Sequence, residues 1–322
     1  KKHIGNVGSF LESVLSFALR IIAIFFKAFG KLIGVVFIIA GTVALTVFMY
    51  SIFSGSQMIT SIRPDGLQYF SWQDISGLLF SNADQGWLAI AGIALLVGIP
   101  LISIVYSGLK ILFNFRNDIK IAGIFLTSLF LSGLIMCLIA GLQLSRDFSY
   151  AESTTSTLNL DSCTSDTLFL ELTQGTCGKA GRNGETGGQL NFDGEALYID
   201  GPRMDIISSN TDSFEVSITR SAKGSTKKDA YNRARNISYR TSGNDCHIGF
   251  GPCYSIEKDD KWRVQQLDIE VRVPEGKTVF IAKGMEQIIY DIQNATNTRD
   301  KDMPGHFWTV KSGVLTCADC SR

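Results

Sequence analysis

The sequence predicts a membrane α-helical bundle of three spans, preceded by an N-terminal interfacial helix and followed by an all-β extracytoplasmic domain. Two observations carry this prediction. The first 145 residues are dominated by Ile, Leu, Phe, Val and Gly and contain three long uncharged runs, whereas residues 146–322 hold most charges and nearly all cysteines. In that second half the hydrophobic period changes to two, the repeat of a half-buried strand. Averages over the chain, 45% hydrophobic and 19% charged with zero net charge, conceal this division. At least two domains are therefore expected. The boundaries drawn are 1–31 for an amphipathic interfacial helix, 32–145 for the membrane domain, 146–160 for a linker and 161–322 for the β-rich domain.

Leu32 to Phe53 supplies 22 uncharged positions. As a helix rising about 1.5 Å per residue, this length covers a hydrocarbon core of about 30 Å. Gln85 to Leu109 and Ile121 to Ser145 are comparable; the former places Trp87 at an interface and contains Pro100. Proline is tolerated in a membrane helix where neighbours satisfy the freed carbonyl. Residues 5–30 are apolar but interrupted by Glu12, Arg20 and Lys27. A charge at a helix centre costs about 2.5–3.5 kcal/mol on insertion scales. This segment is therefore read as lying along the interface, with a fourth span as the alternative.

Positive charge sets the expected topology. Arg20, Lys27 and Lys31 precede the first span, and Lys110, Arg116 and Lys120 fill the second connection, while the first connection sets Arg63 against Asp65, Asp74 and Asp84. By the positive-inside rule the basic segments are cytoplasmic, and three crossings put everything after Arg146 outside. The chain begins Lys1-Lys2-His3 without an initiator methionine. It is read as processed, or as the tail of a longer polypeptide.

Ser149 to Thr157 is rich in Ser and Thr without an apolar period and reads as a linker. Beyond it Phe214, Val216 and Ile218 alternate with polar residues, as do Leu267, Ile269, Val271 and Val273. Pro274 to Lys277 is a turn, and Thr278 to Ala282 resumes the extended pattern. Shorter candidate strands are Gln189 to Phe192, Ala196 to Ile199, Met204 to Ser208, Ile237 to Arg240 and His247 to Phe250. Short strands between Gly and Asp turns suggest a sandwich or a β-solenoid. One surface helix is expected from Lys227 to Arg235, capped by Ser225 or Thr226, with Asp229 near its positive end and Arg233 and Arg235 near its negative end.

Cys137 falls inside the third span as a small apolar residue. Cys163, Cys177, Cys246, Cys253, Cys317 and Cys320 form an even set on the expected outer side, where disulfides persist. Sequence neighbours are the simplest pairing: 163 with 177, 246 with 253 and 317 with 320. Cys317-Ala318-Asp319-Cys320 also matches a redox C-x-x-C, and a zinc site with Cys246, His247, Cys253 or His306 is conceivable. A structural disulfide is preferred because the pair lacks the strand-to-helix context that activates a thiol.

The remaining signals exclude more than they assign. No basic run suits a nucleic-acid partner. Only His3, His247 and His306 exist, none in a nucleophile or metalloprotease motif. The five glycines between Gly178 and Gly188 lack a following Lys-Ser/Thr and read as a loop. The spans carry almost no ionisable group away from their ends, which argues against a transporter. No catalytic residue, metal or cofactor is expected.

The order of parts, together with Lys261-Trp262-Arg263-Val264-Gln265-Gln266-Leu267 and Val271-Arg272-Val273-Pro274-Glu275-Gly276-Lys277, resembles the C-terminal part of phage shock protein C-related proteins of Gram-negative bacteria. His306-Phe307-Trp308 and the terminal C-x-x-C resemble the closing segment of such chains. The resemblance implies a toast-rack β-solenoid outer domain, an inner-membrane anchor with the β domain in the periplasm, and a non-enzymatic role as envelope-stress sensor or scaffold. Its expected partners are the lipid bilayer and other membrane or envelope proteins, with homo-oligomerisation open. The alternatives are an accessory subunit docking through its β domain, and a thiol-disulfide oxidoreductase using Cys317 and Cys320.

Overall fold

The computed structural model describes residues 29–52, 58–63, 66–70, 72–113, 120–160, 163–173, 175, 177, 190–192 and 195–320. The readings that rest on residues 1–28, on Arg116 and on the 178–188 loop lie outside these. The chain divides into two compact units, one spanning residues 1–75 and 82–141, the other Ser76–Ser81 and everything from Leu142 onward.

The first unit contains α1 (Phe29–Ile52), a hairpin of β1 (Met58–Arg63) and β2 (Gly66–Phe70), the first half of α2 (Trp72–Leu79), α3 (Ala83–Phe113) and the greater part of α4 (Lys120–Arg146). Three helical segments, Phe29–Ile52, Ala83–Phe113 and Gly123–Arg146, are long and apolar enough to cross a membrane. They correspond to the three uncharged runs. Phe29 to Lys31, assigned from sequence to the interfacial segment, form the first turn of α1 instead, with Gly30 accommodated inside the helix. Large side chains such as Ile124, Phe125 and Leu142 point outward, as lipid-facing residues do.

Helix contacts in this unit are built on glycine. A Cβ on Gly108 of α3 would lie 2.7 Å from the Gly34 carbonyl oxygen of α1 and 3.0 Å from the Ile38 nitrogen. On Gly133 of α4 it would lie 3.1 Å from the Gly92 carbonyl oxygen of α3. Small residues let backbones approach where lipid supplies no hydrophobic drive for association. The hydroxyls of Thr46, Ser103 and Thr127 return to the carbonyls of Thr42, Ile99 and Gly123, each at 2.8 Å, so they expose no free donor.

The second unit is β-rich. Its strands are β3 (Tyr150–Asn159), β4 (Thr167–Leu172), β5 (Leu190–Phe192), β6 (Ala196–Asp200), β7 (Arg203–Ser209), β8 (Glu215–Gly224), β9 (Ser238–Asn244), β10 (His247–Glu257), β11 (Gln266–Pro274), β12 (Thr278–Ile281), β13 (His306–Lys311) and β14 (Val314–Cys317). One sheet has the order β14-β13-β12-β4-β10-β6-β5 with β9 also on β10; the other has β3-β8-β11-β7. Parallel neighbours β4 with β10, β4 with β12 and β7 with β11 arise from long crossovers, whereas the hairpins are antiparallel.

Alternation explains the core. Val216 and Ile218 of β8, Leu267, Ile269, Val271 and Val273 of β11, and Met204 and Ile206 of β7 belong to one buried cluster with Leu168, Leu170, Phe250, Ile256, Val279, Ile281 and Trp308 of the larger sheet. Trp308 is fully buried, and its indole N–H donates to the Met303 carbonyl at 3.1 Å. On the opposite face, His247, Phe169, Phe280 and Phe307 of adjacent strands stand side by side, with centroid separations of 4.4, 5.8 and 4.7 Å in that order.

The helix α5 (Lys227–Arg235) has the expected bounds. Thr226 is its N-cap, its hydroxyl accepting from the Asp229 amide, while Asp229 accepts from the Ser225 amide and pairs with Arg233. Ala230 and Ala234 are buried beneath it.

The linker reading fails. Tyr150–Asn159 is a ten-residue strand paired along its whole length with β8, from Tyr150 opposite Gly224 to Asn159 opposite Glu215. An edge strand needs little apolar surface, and β-branched threonine suits a pleated, half-exposed position. Thr155 meets Thr219 hydroxyl to hydroxyl at 2.9 Å, and Arg220 donates to Ser156. β4, β13, β14 and the β1–β2 hairpin were likewise not anticipated.

Candidate functional site

Immediately after α4 the chain turns into the β-rich unit, and there it meets a buried arginine. Arg263 lies in the β10–β11 connection and is completely inaccessible. Its guanidinium donates to Asp147 Oδ2 at 2.7 Å, to Ser81 Oγ at 3.1 Å and to the Trp262 carbonyl at 2.7 Å. Ser81 also donates to Asp147 Oδ2 at 2.7 Å. Phe148 places its ring 5.1 Å from the guanidinium carbon and 6.3 Å edge-on to Trp262. The Trp262 amide donates to the Leu78 carbonyl, so the end of α2 joins the same knot.

The loop presenting Arg263 is held under strain. Lys261 and Val264 have φ of 55° and 53°. A β-branched residue in the left-handed region is a steric outlier, costing about 1–3 kcal/mol, and persists only where surrounding contacts over-determine it. Those contacts are present. Gln265 accepts from the Arg263 amide at 2.6 Å and donates to the Lys261 carbonyl at 2.8 Å. The Lys223 amide donates to the Arg263 carbonyl, and the Tyr254 hydroxyl donates to the Gln265 carbonyl at 2.9 Å. Burial pushes the Tyr254 pKa up to about 12, which keeps that donor protonated. Arg233 of α5 donates to the Asp260 carbonyl on the same connection.

Burial pushes the Arg263 pKa down, while the hydrogen bond and charge of Asp147 push it up. Arginine stays charged regardless, so the site is a desolvated cation held by one carboxylate, one hydroxyl, one carbonyl and an aromatic face. Chemically this arrangement is a clamp. It joins three distant segments.

The cysteines pair differently from the neighbour pairing at two of three places. The bonds are Cys163–Cys246, Cys177–Cys253 and Cys317–Cys320. The reason lies in the sheet. β4 and β10 run parallel with His247 opposite Phe169, so Cys163, before β4, and Cys246, before β10, meet at the same strand ends. Cys246 and Cys253 are separated by most of an extended strand, roughly 20 Å at about 3.3 Å per residue, and cannot reach each other.

Of the interface residues singled out from sequence, Lys31 lies in the first turn of α1, Trp87 is exposed in the first turns of α3, Lys110 lies in its last turn, and Lys120 opens α4. Arg20, Lys27 and Arg116 lie outside the described residues. Asp147, Phe148 and Ser81 were not singled out, and Arg263 was named only within the Lys261 to Leu267 segment that carries the family resemblance, with no role of its own.

A second polar feature is the outer face of the four-stranded sheet, a groove of about 620 Å³ lined by Arg203, Asp205, Asp268, Glu270, Arg272 and Tyr290 among others. Arg203 pairs with Asp268 at 2.7 Å and Arg272 with Glu270 at 2.7 Å. Asp205 Oδ1 is buried with no hydrogen-bond partner among the described residues. Desolvation raises the Asp205 pKa above its ordinary 3.8; a hydrogen bond from the Ile206 amide opposes this, and Glu270, Asp291 and Asp300 add to it. The folded chain thus holds this proton more tightly than the unfolded one. Its contribution favours folding at acid pH and is lost as pH rises through the raised folded value. Asp205→Asn is therefore expected to raise the thermal midpoint at pH 7, and the two proteins should converge as pH falls to about 4. Equal midpoints at pH 7 would contradict this.

Two family comparisons bear on the chain. The family described as PspC transmembrane region matches residues 1–148. The family described as ToastRack found in some PspC matches residues 191–322. The chain is a PspC-related membrane protein with a toast-rack domain. No match is found among curated proteins or among solved structures. In this PspC-related chain the Arg263 clamp straddles the two regions: Asp147 is the penultimate residue of the first match, and Arg263 lies within the second.

Proposed function

We propose that this PspC-related chain is a non-enzymatic sensor of membrane integrity, anchored in a bacterial inner membrane with its toast-rack domain in the periplasm. The observation that carries the reading is the Arg263–Asp147 clamp. Asp147 follows directly on α4, so any change at the end of that helix acts on a charge that no water can compensate and on a loop already held in an unfavourable backbone conformation. Such a joint has two states, seated or released, and a stimulus acts on it through its differential effect on those states. The basic residues flanking the spans support the topology, since Lys31, Lys110, Arg116 and Lys120 would face anionic headgroups on the cytoplasmic side.

The test uses the full chain in cells. Removal of the protein should change the response to a bilayer-perturbing agent, and Asp147→Ala, inserted at normal levels, should reproduce that change. Protease added to spheroplasts should cut beyond Arg146. Unaltered responses in both strains, or protection of that region, would refute the reading.

A second reading, an accessory subunit of an envelope complex, is favoured by β3, which pairs with β8 on one side and has no strand neighbour on the other among the described residues. Such an edge can accept an added strand. Gentle detergent extraction separates the two, because a docked subunit migrates with its partners and a lone monomer does not.

A further inference from the structure

The C-terminal hairpin gathers four groups that the sequence leaves scattered. His306 opens β13, opposite Ile281, and Cys317 ends β14, opposite Trp308, so both face the interior side of the sheet at its edge. The chain then doubles back. The Ala318 amide donates to the Phe307 carbonyl at 2.8 Å, and the Phe307 amide donates to Asp319 Oδ1 at 3.0 Å. This brings Asp319 to 3.3 Å from His306 Nδ1 and its carboxylate to 3.5 Å from Cys317 Sγ. One ligand atom each from His306, Cys317, Asp319 and Cys320 lies within 4.8 Å of the other three.

Three details distinguish this cluster from a plain staple. His306 Nδ1 is buried without a hydrogen-bond partner among the described residues, and Asp319 Oδ1 sits 3.3 Å away. A cation between them would take both atoms as ligands. The Cys320 amide points at Cys317 Sγ from 3.1 Å, a contact of little value to a disulfide sulfur and a charge-assisted bond to a thiolate. The pair is also accessible and spans three positions, whereas Cys163, Cys177 and Cys246 are buried and their bonds span 83 and 76 positions. A reductant meets Cys317–Cys320 first.

We propose that Cys317, Cys320, His306 and Asp319 form a redox-gated site for a zinc-type divalent cation. A dithiol reductant delivers two electrons and two protons to the Cys317–Cys320 bond, which breaks to two thiols as the reductant closes its own disulfide. The cation then displaces both thiol protons and binds two thiolates, the imidazole Nδ1 and a carboxylate oxygen. Tetrahedral zinc with bonds of about 2.0–2.3 Å places its ligand atoms about 3.3–3.8 Å apart, the separation already set between Nδ1 and Oδ1. Thiolate, imidazole and carboxylate together suit zinc over calcium or magnesium. The oxidised hairpin has no thiolate to offer and binds no cation there.

The test takes the full-length chain in nanodiscs, reduces it with dithiothreitol, removes the reductant without air and titrates with Co²⁺ and then Zn²⁺. Alkylation mapping is expected to find Cys317 and Cys320 opened. Co²⁺ should give thiolate-to-metal charge-transfer absorption and tetrahedral ligand-field bands that Zn²⁺ abolishes. The oxidised chain and the Cys317→Ser/Cys320→Ser variant should give neither. His306→Ala and Asp319→Ala should each weaken binding about 10- to 100-fold while keeping the charge-transfer band. Absence of the band in the reduced chain overturns the proposal, as does the same band in the Cys317→Ser/Cys320→Ser variant, or equal affinity in the His306 and Asp319 variants.

Discussion

Asp147→Ala is expected to destabilise the β-rich unit by about 3–5 kcal/mol, the cost of leaving a buried cation without its counter-ion. Asp147 accepts from both Arg263 and Ser81, so its removal strands two donors. The guanidinium keeps the Ser81 hydroxyl, the Trp262 carbonyl and the Phe148 ring, but none carries negative charge. Arg263→Met should cost less, because the remaining carboxylate is partly exposed, at 18%, and can recruit water. The pair Asp147→Leu with Arg263→Met should cost least, since an apolar replacement of a buried ion pair is often neutral. Urea midpoints from pulse proteolysis of the full chain in nanodiscs measure all three. A single Asp147→Ala loss below about 1 kcal/mol would mean that Arg263 reaches solvent and that the clamp is an ordinary surface pair.

What the sequence exposed and what it hid divide along physical lines. The three spans were legible because the energetic requirement is local: an uncharged run such as Leu32 to Phe53 has no other stable solution of that length. α5 was legible because a cap, a first-turn acid and last-turn bases lie within ten positions. β8 and β11 were legible because one face is buried and the other is not. β4 was missed because Phe169 and Leu168 serve opposite faces, one in the aromatic row and one in the core, so no alternation survives. β3 was missed because an edge strand of Ser and Thr resembles a linker until its partner is known. The clamp was missed for the strongest reason. Arg263 and Asp147 are 116 positions apart, and nothing local marks an arginine as buried. Only the sheet that fixes the β10–β11 connection beside the end of α4 creates the site.

The same dependence on the sheet makes the cross-links the second large effect expected. Cys163–Cys246 and Cys177–Cys253 close loops of 83 and 76 positions, each worth about 4.5 kcal/mol in the chain-entropy treatment, whereas a three-position closure contributes about a third as much. Cys163→Ser/Cys246→Ser should therefore lower stability by about 2–5 kcal/mol, and the change at Cys317 and Cys320 by about 2 kcal/mol or less. The two long loops interleave, since Cys177 lies inside the first and Cys253 outside it. Once one is closed, the other removes less disorder from the unfolded chain, so removing both should cost less than the sum. Connectivity is read directly by a single substitution: Cys246→Ser should liberate one new thiol, at Cys163, with Cys253 still protected from alkylation. A thiol appearing at Cys253 instead would restore the neighbour pairing and, with it, a different approach of β4 to β10.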